Sequence, residues 1–170
     1  LTTIVARSKA LFSAPAAEKR VSLHVDCPEA LPIVLADADR ITQVLNNLLS
    51  NALRHAPEDS TLRISVHQEP HETSSASADV VRVSVADSGA GIAPEELPLV
   101  FDRFWRADRG RARSQGGSGL GLAITRQLIL AHGGEIGVTS TPNEGACFWF
   151  TLPIATEYVT SAASGASHIR

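Results

Sequence analysis

Methionine is absent from all 170 residues, and the chain opens on Leu1. A sequence with no initiator is expected to be a piece of a longer protein. Cysteine is nearly absent too. Cys27 and Cys147 lie far apart and form no C-x-x-C pair, which argues against a disulfide framework or a cysteine zinc site and for reduced core thiols. No apolar run approaches the ~18 residues of a membrane span, and no signal peptide is visible. Neither sign of charge dominates. The net charge is -3 without a basic stripe, so no nucleic-acid partner is expected. Against these absences, 44% of the residues are hydrophobic, enough for one globular domain with a real core.

Leu1 to Ser13 read as a helix with an incomplete apolar stripe, and Pro15 predicts a stop nearby. Val21 to Val25 alternate as a strand. Asp37 or Asp39 can cap a helix running to about His55, with Pro57 just beyond. Leu62 to Val66 and Val80 to Ala86 read as two strands joined by a polar linker from Glu69 to Ser77. Residues Ala93 to Ser118 have poor periodicity and many charges, the pattern of a functional lid. A helix from about Gly119 to Ala131 ends at Gly133-Gly134, and Glu135 to Ser140 and Cys147 to Leu152 close the sheet. The fold class expected is an α/β (α+β) two-layer sandwich: a mixed, mostly antiparallel sheet of about five strands, helices on one face, and a lid. Residues 1–16 are expected to connect to another domain, 17–155 to form the domain itself, and 156–170 to be a flexible tail.

Four segments carry chemistry. On the helix after Asp39, Asn47, Asn51, Arg54 and His55 fall within an arc of ~100°. Ile41, Val44, Leu45, Leu48, Leu49, Ala52 and Leu53 are assigned to the other arc. Asparagines one turn apart are poor helix formers, which favours a use for them. An amide oxygen is a hard neutral ligand suited to Mg²⁺. A plain solvated face fits the same pattern. In the strand, Val81, Val83, Val85 and Asp87 share a side, so Asp87 ends a buried row and needs donors there. An adenine amino group is one such donor. Gly89 and Gly91 permit a turn that brings backbone close to a flat ring. An ordinary Asx-type turn is the competing reading.

Gly116 to Leu122 is neither a P-loop nor a dinucleotide fingerprint, since no Lys-Ser/Thr follows and Leu122 stands where a glycine belongs. Glycines at a helix start still offer free N–H groups to phosphates; a flexible hinge feeding the helix fits the same residues, and both can hold at once. The lid carries Arg103, Arg106, Arg109, Arg111 and Arg113; most are read as solvated, and Arg106, beside Phe104 and Trp105, is the one placed near a terminal phosphate. His67, His71 and Glu72 are read as a solvated loop rather than a metal site.

Together these segments resemble the catalytic and ATP-binding domain of sensor histidine kinases, within the wider Bergerat-fold family of gyrase, chaperone and mismatch-repair ATPases. The resemblance covers Val21 to Pro153. It rests on the asparagine box from Asp39 to Ala52, on D-S-G-A-G-I at 87 to 92, on F-D-R-F-W-R at 101 to 106, and on G-G-S-G-L-G-L-A-I at 116 to 124. It implies ATP and Mg²⁺ as cofactors. It implies that Asn51 ligates the metal, that Asp87, Gly89, Gly91 and Ile92 hold adenine, and that Arg54 or His55 contacts phosphate, ribose or ring. It further implies that Gly117, Gly119, Leu120, Gly121 and Leu122 bind phosphates under the lid, with Asn47 and Arg106 catalytic. The last glycine box departs from the family's Gly-Thr-x-Phe and reads Gly145-Ala146-Cys147-Phe148.

ATP-hydrolysing relatives carry glutamate, a general base, where Asn47 stands. Asn47 cannot take a proton, so slow hydrolysis and transfer to another nucleophile are implied. None of the six histidines has the family's phosphoacceptor context. The implied function is therefore transfer of the ATP γ-phosphoryl group to a histidine on a separate helical domain. The implied partners are that dimerisation and phosphoacceptor domain and a response regulator. The parent is expected to be a homodimeric inner-membrane sensor, and this chain a monomeric cytoplasmic piece of it. An anti-sigma-factor-like serine kinase of the same fold and a non-catalytic nucleotide-binding module are the alternatives.

Overall fold

The computed structural model describes residues 1–71, 78–106 and 119–155. The sheet has five strands in the order β1-β2-β3-β5-β4: β1 (Ser22–Asp26), β2 (Thr61–His71), β3 (Ala78–Asp87), β4 (Ile136–Thr141) and β5 (Gly145–Pro153). Three α-helices accompany it among the described residues: α1 (Thr2–Glu18), α2 (Ala38–His55) and α3 (Gly121–Ala131). Every pairing is antiparallel except β1 with β2. Parallel neighbours need a crossover, and α2 supplies it. The expected mixed sandwich with helices on one face is the observed architecture.

The core lies between the helices and one face of the sheet. Register aligns two rows across it: Ile64, Val85, Phe148 and Val138, then Val66, Val83, Phe150 and Ile136. From above, α2 contributes Ile41, Val44, Leu45, Leu48, Leu49 and Ala52, and α3 contributes Ile129. Each large side chain buried so completely contributes about 1.5–3 kcal/mol relative to exposure.

Local signals explain most boundaries. Asp37 caps α2, its Oδ1 accepting from the N–H groups of Asp39 at 2.9 Å and Arg40 at 3.0 Å. At the other end Ala56 turns extended, φ -62° and ψ 130°, as a residue before proline should. The end of α3 is tied to the start of α2 through His132. Its Nδ1 donates to the Leu128 carbonyl at 2.7 Å, and its Nε2 accepts from the Asp37 N–H at 3.1 Å.

Two expectations need correction. The first helix does not stop near Ser13; it runs to Glu18 with Pro15 inside it. Proline removes the N–H that would bond the carbonyl of Leu11. Leu11 and Pro15 both lie on the exposed side, where water can serve that carbonyl, while Val5, Ser8 and Ala16 are buried and hold the whole helix down. Ser8 Oγ donates to Asn46 Oδ1 at 2.8 Å, so α1 is bolted to α2 by a polar pair. The second correction concerns β2, which continues through Pro70 to His71 instead of ending at Val66. Past Ser65 it has no β1 neighbour, so Pro70 sits on a free edge where its missing donor does no harm.

Candidate nucleotide site

The polar ridge of α2 forms one wall. Asn47 and Asn51 are half-buried, and Arg54 and His55 are exposed in the last turn. Val44 is fully buried although it projects inside the polar arc rather than opposite it. The ridge is therefore a boundary between core and site. Asn47 Nδ2 donates to Thr125 Oγ1 at 3.3 Å. Asn51 makes no side-chain hydrogen bond among the described residues, which leaves its amide oxygen available to a ligand. The backbone carbonyls of Leu53 and Arg54 accept from Lys19 Nζ at 2.7 and 2.9 Å. A cation from the end of α1 thus closes the C-terminus of α2, where the helix dipole favours it.

The turn after β3 forms the second wall. Val81, Val83 and Val85 are wholly buried and Asp87 is half-buried at the end of their row, as the strand's parity requires. Asp87 Oδ1 accepts from the Gly89 N–H at 2.8 Å. Burial pushes the Asp87 carboxyl above its usual range. Backbone N–H donation from Gly89, the His55 charge and a backbone bond from Ala146 pull it the other way. A methyl on Gly89 would lie 2.7 Å from the His55 carbonyl oxygen and 2.7 Å from Asp87 Oδ1. Gly89 is thus the place where the two walls meet. Gly91 has φ +71°, and a methyl there would strike the Thr141 carbonyl at 2.2 Å. The turn is stitched to the β4–β5 hairpin. Ile92 N–H donates to Ser140 Oγ at 2.9 Å, Ser140 Oγ donates to the Gly145 carbonyl at 2.6 Å, and Asn143 N–H donates to the Ala90 carbonyl at 2.7 Å.

The segment leading to the lid is anchored by its aromatics. Phe101 meets Phe148 edge-on at 6.2 Å, and Trp105 packs against the core. A short 3₁₀ turn, Leu97–Leu99, interrupts what sequence reads as irregular. The N–H of Phe104 donates to the Gly119 carbonyl at 2.9 Å and clasps the two stems of the segment between them. Arg106 is exposed on the first stem. Gly117 lies outside the described residues, as do Arg109, Arg111 and Arg113. Gly119, Leu120, Gly121 and Leu122 form the second stem and the start of α3. Among the described residues no side chain caps α3, and the N–H groups of a helix's first turn have no partner within the helix itself. A methyl on Gly121 would meet nothing within 4 Å. No neighbour within the described residues demands a glycine there, whereas a ligand approaching the backbone would.

The structure therefore brings His55 to Asp87 and Gly89, and Asn47 to α3. Sequence reasoning missed Lys19, Ser8 and Thr125, whose partners lie 34, 38 and 78 residues away. A threonine in the apolar stripe of α3 was the one visible hint. For Mg²⁺ the donor set fits. Among the described residues no cluster of three or more His, Cys, Asp or Glu could cage a metal. Mg²⁺ does not need such a cage, since it takes one or two protein oxygens and completes its shell with phosphates and water. Asn51 offers one such oxygen.

Fold and site together define a nucleotide-binding domain built on a two-layer sandwich. Residues 36–156 match the model of the histidine kinase-, DNA gyrase B- and HSP90-like ATPase family, and the chain belongs to that family. It is 39% identical over 140 residues to the sensor histidine kinase WalK of Bacillus subtilis, which covers 82% of this chain but 22% of WalK. The catalytic domain of histidine kinase ThkA superposes with a TM-score of 0.74 at 31% identity, covering 92% of this chain and 94% of that one. Full-length ShkA in complex with AMPPNP gives 0.74 at 32% identity, covering 90% of this chain and 30% of ShkA. ThkA is also known in complex with the response regulator TrrA, at 30% identity and a TM-score of 0.70, covering 92% of this chain and 41% of that one. Sequence and fold are those of the catalytic, ATP-binding domain of sensor histidine kinases.

Proposed function

We propose that this domain binds ATP with Mg²⁺ and positions the γ-phosphoryl group for in-line transfer to a histidine on a separate helical domain of its parent. The observation that carries the reading is the Gly89 junction, where the ridge of α2 and the Asp87 turn close on each other. Asp87 receives the adenine amino group, with Gly89, Gly91 and Ile92 backing the ring. Arg54 and His55 lie where ribose or phosphate passes. Asn51 holds the metal, which when bound neutralises phosphate charge. The start of α3, from Gly119 to Leu122, receives phosphates; Gly117, outside the described residues, and Arg106 are assigned to the same phosphates on the sequence resemblance.

Asn47 lies one turn before Asn51 and carries no proton-accepting group. It leaves water unactivated, and the imidazole nitrogen becomes the nucleophile. A P–N bond forms, the bond between the γ-phosphorus and the bridging oxygen breaks, and ADP leaves with the electron pair. Positioning and electrostatics supply the acceleration.

The parent is proposed to be a homodimeric inner-membrane sensor that passes its phosphoryl group to a response regulator, as the ThkA complex suggests by analogy. This chain would be a monomeric cytoplasmic part of it. Among the described residues no helix is long and apolar enough to cross a membrane. We take 17–155 as the ATP-binding unit and α1 as the link to the phosphoacceptor domain, although α1 is also built into the core; the tail expected from sequence at 156–170 lies outside the described residues.

The test incubates labelled ATP with the chain alone and then with the parent's histidine hairpin. Acid-labile label on the hairpin only is the expected result. Rapid phosphate release by the chain alone, or acid-stable label on a serine, would overturn the reading.

A further inference from the structure

Thr125 is a polar residue with no exposed surface, set in α3 between the buried Ala123 and Ile129. Valine has nearly its shape and would serve such a position without carrying a hydroxyl into the core. A hydroxyl there is favourable only if it is hydrogen-bonded. Its described partner is Asn47 Nδ2, 3.3 Å away, on the facing side of α2. This is also the only side-chain hydrogen bond of Asn47 among the described residues. The nitrogen end of the amide is held by α3, so its oxygen end is turned away from α3, on a ridge shared with Asn51. The same helix begins at Gly121, one turn before Thr125, and follows the stem clasped by Phe104 and Gly119.

We infer that Thr125 is a positioning residue for phosphoryl transfer: its buried hydroxyl fixes the orientation of the Asn47 amide and ties it to the helix that follows the lid. The inference rests on the kinase reading for its functional half and on the Asn47–Thr125 bond for its structural half. Without the hydroxyl, Asn47 turns freely about its last torsion and spends less time in the transferring geometry. ATP itself, held through Asp87 and the phosphate-binding backbone, is bound as before.

The closing experiment compares Thr125→Val, which removes the hydroxyl, with Thr125→Ser, which keeps it. Three readouts are needed: the Kd for MgATP, single-turnover transfer to the parent's histidine hairpin, and the side-chain amide resonances of Asn47, assigned by their loss in Asn47→Ala. Thr125→Val is expected to leave Kd within about twofold and to slow transfer by about five- to tenfold. It should shift the Asn47 resonances and sharpen the exchange of their protons with water. Thr125→Ser should recover at least about half of the parent rate. In the double variant with Asn47→Ala, the valine should add no further loss, because the two residues act as one unit. Transfer by Thr125→Val at the parent rate, or a loss fully additive with Asn47→Ala, would overturn the inference. Should the parent chain bind ATP yet transfer nothing, the kinase reading fails. The resonances then still decide the structural half, and unmoved signals in Thr125→Val overturn it. A valine variant that does not fold leaves the serine variant as the arbiter, and a serine variant with displaced Asn47 resonances and slowed transfer counts against it.

Discussion

Gly89 backs directly onto the carbonyl of His55, so that a single methyl group would separate the end of α2 from the turn after β3. That methyl would sit 2.7 Å from the His55 oxygen, a backbone atom that cannot rotate aside. Gly89→Ala is therefore expected to destabilise the fold by about 1–3 kcal/mol through overpacking. It should weaken ATP binding more than this loss of folded protein accounts for, because the Asp87 carboxylate is crowded by the same methyl. Thermal melting and calorimetry on the same sample check both parts. An alanine variant that binds ATP as the parent does would show that the junction is not part of the base site.

Asp87 gives a pH dependence whose sign follows from burial. Its folded pKa is raised, so the folded state holds the proton more tightly than the unfolded chain does. Across the window from the ordinary carboxylate value, about 3.9, up to the raised one, stability falls as pH rises. Above that window the ionised carboxylate is a standing liability, moderated by its partial exposure. In the absence of nucleotide, Asp87→Asn is expected to melt above the parent at neutral pH, and the gap should close towards about pH 4. The same variant should bind ATP at least about tenfold more weakly, a loss of ~1.4 kcal/mol. The parent itself should prefer ATP to GTP by a similar factor. Guanine presents a carbonyl where adenine presents an amine, and two facing acceptors leave both unsatisfied at ~1–3 kcal/mol. Equal affinity for the two nucleotides would remove Asp87 from the base site.

The parts legible in sequence were those fixed by local periodicity. Alternating valines placed β3 and put Asp87 at the end of its buried row. Helical spacing put Asn47, Asn51, Arg54 and His55 on one ridge of α2. What escaped depended on neighbours distant in the chain. Pro15 signals a helix end to any local reading, yet the burial of Ala16 against the core carries α1 one more turn. The end of β2 has no apolar alternation. It is held by β3 and by polar pairs across the hairpin, Gln68 Nε2 donating to Asp79 Oδ2 at 2.6 Å and Arg82 Nε to Glu69 Oε1 at 2.6 Å. Val44 showed the limit of a helical projection, which gives directions but not the depth of the neighbouring wall.

Lys19 offers a test of whether α1 supports the site as well as the core. Its ammonium donates to two of the last carbonyls of α2, on Leu53 and Arg54. Lys19→Met keeps most of the aliphatic stem and removes the donors. The last turn of α2 should fray, at about 0.5–1.5 kcal/mol for the lost hydrogen bonding. Arg54 and His55 belong to that turn, so hydrogen exchange should speed at residues 53 to 56 and ATP affinity should fall by about threefold. Faster exchange without any change in affinity would limit Lys19 to a structural role.

On the proposed kinase reading Asn47 sets the choice between water and imidazole as nucleophile, and Asn47→Glu should then shift it. Glutamate supplies the proton acceptor that the amide lacks, and general-base catalysis is typically worth 10²–10⁴-fold when geometry is right. The surroundings admit the change. A threonine hydroxyl is both donor and acceptor, so Thr125, which accepts from the amide of Asn47, can donate instead to a carboxylate at the same position. The longer side chain is not placed as the amide is, so a gain of about tenfold in phosphate release is the realistic expectation rather than the full range. Transfer to the histidine hairpin should fall at the same time, because each phosphoryl group lost to water is unavailable to imidazole. Asn47→Asp provides the control. Its carboxylate matches the amide in length and keeps the Thr125 contact, yet it is too short to reach an attacking water beyond the amide's own position, so hydrolysis should stay near the parent rate. Phosphate release is followed with a coupled optical assay, and transfer with labelled ATP in the same reaction mixture. Hydrolysis that stays at the parent level in Asn47→Glu, with ATP still bound, would show that this position does not face the attacking nucleophile.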